Sequence, residues 1–126
     1  MHYYAFNPDN EYYFDEGCFI IEMLNEPDDQ DVSIARARVL VGSETRLHAL
    51  QNTTERYVIL EGTGEVTVDG QTQVVNQGDV VTIAPSQSQK IRNVGEHDLV
   101  FLAICTPRFE LENYQDIDPN PLISRS

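Results

Sequence analysis

His48 and Glu55 stand seven residues apart in the stretch LHALQNTTERYVILEG, one just ahead of a β-branched run and one at its start. An imidazole and a carboxylate so placed are the raw material of half a metal site or of a proton-transfer pair. Tyr57, two residues beyond Glu55, falls on the same side of a strand. It has two readings: a hydroxyl that donates a hydrogen bond into a cavity, or a core tyrosine. Arg46 also has two readings, an inward guanidinium that grips a carboxylate or phosphate bidentately, or a solvated rim residue. Cys18 and Cys105 lie in apolar surroundings (GCFII and LAICTP) without the CxxC spacing of a zinc or redox motif. They read as free buried thiols of a reduced compartment, although Cys105 ends a strand and is a candidate to face a cavity. His2 and His97 fall in terminal and loop contexts and receive no role.

The elements that must position these side chains are strands. VSIARARVLV alternates, with Ser33, Ala35, Ala37 and Val39 on one face and Ile34, Arg36, Arg38 and Leu40 on the other. The arginine face is expected to form ion pairs on the outside of an acidic protein. RYVILEG is rich in the residue types strands prefer. EVTVDGQTQVV is a hairpin, since Asp69-Gly70 between two alternating runs fits a tight primed turn. NQGDVVTIAP, QKIRN and DLVFLAIC supply further strands, and no window carries helical spacing with a cap and a stop. Short strands at even spacing imply an all-β sandwich or barrel. The first 17 residues suggest an arm or edge strand, and the tail after Cys105 an extended or turning surface segment pinned by Phe109 and Tyr114.

At 126 residues the chain is expected to form one domain. Its formal charge of −13, from 21 acidic residues against a single lysine and seven arginines, makes nucleic acid and anionic membrane poor partners, because both need clustered Lys and Arg. Nine acids precede Arg36, the first basic residue, and give the N-terminal third an acidic face. The opening MHYYAFNPDNEYY has no basic leader, so a cytoplasmic protein is the expectation.

In this frame Gly42, His48, Leu50, Glu55 and Gly62 follow the spacing of the first cupin motif. Gly78, Ala84, Pro85, Ser86, Gln89 and Asn93 follow the second. The chain thus resembles a small single-domain cupin over a core of about 33–105, with an N-terminal arm at 1–32 and a tail at 106–126. The resemblance implies a double-stranded β-helix, a jelly-roll barrel whose open end holds the site. It also implies a divalent metal (Zn, Fe, Mn or Ni) on His48, Glu55 and Gln89. The family's second histidine is here Leu50, and its downstream histidine is Gln89. The same resemblance suggests a homodimer, with Val58 and Leu60 among the residues that pair across it.

Three functions follow. The first is a metal-dependent isomerase or lyase, similar at the fold level to mannose-6-phosphate isomerase, on a sugar-like or carboxylated molecule. In it the metal polarises a carbonyl, Glu55 and Tyr57 form the catalytic set, and Arg46 binds substrate. The second is a non-catalytic cupin that binds a small polar ligand over a degenerate metal site. The third is an interaction subunit that uses the acidic N-terminal face.

Overall fold

A computed structural model describes residues 1–122. Strands run in the order β1 (Tyr12–Phe14), β2 (Cys18–Leu24), β3 (Ser33–Val39), β4 (His48–Leu50), β5 (Thr54–Glu61) and β6 (Thr63–Val68). They continue with β7 (Gln71–Asn76), β8 (Val80–Ile83), β9 (Gln89–Asn93), β10 (Leu99–Thr106) and β11 (Tyr114–Asp116). Two sheets result, one ordered β1-β2-β3-β10-β5-β8 and the other β11-β4-β9-β6-β7. Every pairing is antiparallel. This is the double-stranded β-helix that the resemblance to cupins implies.

Period-two alternation builds the interior. In β5, Glu55, Tyr57 and Ile59 are buried while Arg56 and Val58 between them are not. β10 lies against β5 with Cys105 opposite Glu55, Ala103 opposite Tyr57 and Phe101 opposite Ile59. Ser33, Ala37 and Val39 of β3 are buried, and the arginines on its other face bind acids. Arg38 grips Glu11 at 2.6 and 3.1 Å and reaches Asp98 at 3.1 Å, and Arg36 approaches Glu11 at 3.5 Å. The core between the sheets is made by Val39, Ile59, Val66, Ile83, Ile91 and Leu99, among others. At the β6–β7 turn Asp69 and Gly70 both adopt positive φ, at 48° and 80°, as a primed hairpin turn requires. Among the described residues no helix is long and apolar enough to cross a membrane.

The first 17 residues take the edge-strand alternative, and the tail, pinned by Tyr114 as expected, also pairs as a strand. β1 is the sheet edge, paired with β2, and β2 pairs along β3. β11 adds an edge to the second sheet by pairing with β4, with Tyr114 opposite Leu50 and Asp116 opposite His48. Tyr114 stacks on the His48 ring at 5.1 Å and meets Phe14 edge-on at 5.4 Å, so it ties the tail to the barrel mouth.

Candidate functional site

At the mouth, β1, β2, β3, β5 and β10 enclose a cavity of about 80 Å³, bounded by Tyr12, Phe14, Glu16, Glu55, Tyr57 and Phe109 among others. That is room for a few waters or a small molecule. Glu55 is brought there by the inward register of β5 and is only 9% exposed. The Cys105 thiol lies 3.8 Å from Oε2, a weak contact, and Oε1 is buried without a hydrogen-bond partner. Burial pushes the carboxyl up to about 7; the His48 ring opposes this, Glu16 adds to it, and Gln89 and Cys105 favour the anion. Glu55 therefore gives and takes a proton near neutrality.

Tyr57 and Gln89 form a fixed pair behind it. The Tyr57 hydroxyl donates to Gln89 Oε1, and both residues are buried. The tyrosine ring leans on Phe101 at 4.6 Å. Burial first, then the neighbouring Glu55 charge, hold the phenol well above its ordinary value, so Tyr57 stays a neutral donor. Gln89 reaches this position because β9 pairs with β4 through His48 opposite Gln89.

His48 is buried, with Nδ1 2.7 Å from the Arg46 carbonyl. A carbonyl only accepts, so Nδ1 carries the proton and Nε2 points the other way. Nε2 lies 3.4 Å from Oε1 of Glu16. Burial raises the Glu16 carboxyl and His48 opposes the rise.

The spacing of the chain carries no sign of Glu16. It arrives through the turn at Gly17, whose φ is +106° and where an added Cβ would sit 2.9 Å from the Glu44 carbonyl. A glycine between a polar stretch and the apolar run CFII was the available signal of a tight turn, and it marks the backbone rather than the acid.

Arg46 does not reach the cavity. Its guanidinium binds Asp116 at 2.7 and 3.2 Å and the Asn120 carbonyl at 2.6 Å, on the outside. It precedes β4 and does not share that strand's inward face, which corrects the expectation of an inward, substrate-binding arginine. Arg46→Ala is expected to speed proteolytic clipping after β11 while leaving any ligand-induced thermal shift unchanged. A lost thermal shift with an intact tail would return Arg46 to the binding site.

A resident divalent ion fits these donors poorly. Leu50 offers no donor atom, Gln89 Oε1 accepts the Tyr57 hydroxyl, and His48 Nε2 faces Glu16. Among the described residues no three His, Cys, Asp or Glu side chains are grouped to hold a metal. The expected Zn, Fe, Mn or Ni on His48, Glu55 and Gln89 does not match how these side chains are engaged.

A family model for the cupin domain matches residues 35–105. An uncharacterised protein of Methanocaldococcus jannaschii is 35% identical over 105 residues, 82% of this chain and 84% of that one. An oxalate-binding protein of Thermotoga maritima is 36% identical over 70 residues, 56% of this chain and 58% of that one. Among solved structures, a predicted oxalate decarboxylase from Thermotoga maritima superposes with a TM-score of 0.67 at 28% identity, over 71% of this chain and 80% of that one.

Proposed function

The chain belongs to the cupin family, and from that premise we propose that it binds a small polar molecule in the cavity at the barrel mouth. One observation carries the reading: Oε1 of Glu55 is buried, lacks a partner and belongs to a cavity-lining carboxyl. A buried polar atom left unpaired costs about 1–3 kcal/mol, and a ligand that meets it recovers that cost on binding. The relative named an oxalate-binding protein supports small-molecule occupancy of such a barrel. The test is a thermal-shift screen of small polar compounds with the full chain. A saturable rise in Tm with at least one of them, weakened by Glu55→Gln, is expected, because a ligand bound to the folded state alone stabilises it by mass action. If no compound in the set raises Tm, the reading is overturned.

A second reading keeps the isomerase or lyase idea without routing a step through a metal. It is favoured by the Glu55 carboxyl at about 7, which suits general acid–base work at neutral pH. In this reading Glu55 transfers the proton and Tyr57 acts by holding Gln89 in position. Steady conversion of the stabilising compound, abolished in Glu55→Gln while its thermal shift survives in part, separates this from binding alone. A stabilising compound recovered unchanged would leave only the binder.

A further inference from the structure

The lining of the cavity carries a charge preference. Glu16, Glu22 and Glu55 contribute carboxyls, and among the described residues no arginine, lysine or histidine lines it. Arg108, which touches the rim residue Asn25 at 2.8 Å, has its guanidinium held by Glu110 at 2.7 Å. Arg46 and Arg38 are committed to acids elsewhere. An anion entering the cavity would lose its hydration and meet carboxyls at close range, while the His48 ring beside it already faces Glu16. The remaining walls are aromatic and aliphatic, with Tyr12, Phe14, Phe101 and Phe109 among them. Ring faces beside buried carboxyls are the two features that together recognise an organic ammonium group, through charge-assisted hydrogen bonds and cation–π attraction.

Resting on the binding function proposed above, we infer that the ligand of this cupin is a small organic cation bearing a protonated amine, whose N–H groups meet Oε1 of Glu55. In this respect the chain departs from the relative named for oxalate, a dianion. The ammonium binds the ionised form of Glu55, and binding therefore expels a proton from that carboxyl wherever it is protonated. Glu16, on the loop after β1, His48 of β4 and Cys105 of β10 are the titratable groups around Glu55, with Tyr12 of β1, Cys18 and Glu22 of β2 and Tyr57 of β5 also facing the cavity. Of these, burial holds both thiols and both phenols up in their neutral forms.

The experiment uses three probes of one size: ethanolamine, ethylene glycol and glycolate, each with the full chain and a chelator present. Thermal shift and calorimetry are read at about pH 6 and about pH 8. Ethanolamine is expected to bind, roughly tenfold more tightly at the higher pH because the Glu55 carboxyl titrates at about 7. Glycolate is expected to show no effect, and Glu55→Gln to remove both the ethanolamine signal and its pH dependence. Preference for glycolate or ethylene glycol overturns the charge class while leaving the binding function standing. Silence from all three overturns the charge class, and the broader compound screen then decides the binding function separately. Ethanolamine binding that survives unchanged in Glu55→Gln also overturns the assignment.

Discussion

Glu55→Gln is expected to stabilise the protein above neutral pH by up to about 3 kcal/mol relative to its effect at about pH 5. The sign follows from where the carboxyl titrates in each state. In the folded protein it sits at about 7, against 4.5 for the free group. Below 4.5 both states hold the proton and Glu55 contributes nothing to the pH dependence. Between 4.5 and about 7 the unfolded chain releases its proton while the folded chain keeps it, so stability falls as pH rises. Above about 7 the folded protein carries a buried carboxylate with an unpaired oxygen, and the loss is complete. The glutamine amide has the shape of the neutral acid and never ionises, so the variant escapes this slope. Denaturant titrations of both proteins at about pH 5 and about pH 8.5 provide the measurement, and the difference corresponds to a relative Tm gain of about 10 °C at most. Parallel pH profiles for the two proteins would show that Glu55 is not the buried acid described here. Glu16 shifts in the same direction, so some slope remains in the variant.

Gly62→Ala is expected to cost about 3–4 kcal/mol and Gly42→Ala only about 1, although the two glycines flank the same motif. Both have positive φ, +85° at Gly62 and +76° at Gly42, which any Cβ strains. The difference is what lies alongside. A Cβ on Gly62 would stand 2.7 Å from the Asp98 carbonyl oxygen and 3.1 Å from the Leu99 Cα, both backbone atoms at the start of β10. Leu99 is fully buried, so the barrel wall cannot yield there without disturbing the core. At Gly42 nothing lies within 4 Å, and only the backbone conformation is strained. Urea midpoints for the two variants decide the matter. Equal losses would mean that the β5–β6 turn does not press against β10 as described.

These two glycines show how far the motif spacing could be taken. The motif spacing picked out both glycines, and the resemblance it carries implied the fold. It did not rank them, because the cost at Gly62 comes from Asp98, a residue 36 positions further along. The site divides along the same line. Glu55 and Tyr57 lie two apart on one strand, and a strand turns such residues to one side; their common inward face was legible. The hydrogen bond from Tyr57 to Gln89 spans 32 residues and joins one sheet to the other, so only the facing of the two sheets delivers it.

The alternation of apolar and polar residues and the Asp69-Gly70 turn were sufficient to specify an all-β sandwich or barrel with Glu55 and Tyr57 on one face, because each is a property of a few consecutive residues, and the resemblance to cupins chose the barrel. Closure of the sheets decided the rest. It set Glu16 against His48, bound Arg46 to Asp116 across 70 positions, and drew Tyr114 over the mouth. Charge and burial at a point in space are sums over everything that folding brings near it. The spacing of residues along the chain therefore names the groups that could do chemistry, and the three-dimensional neighbours set which of them hold a proton and which are spent on holding the fold together.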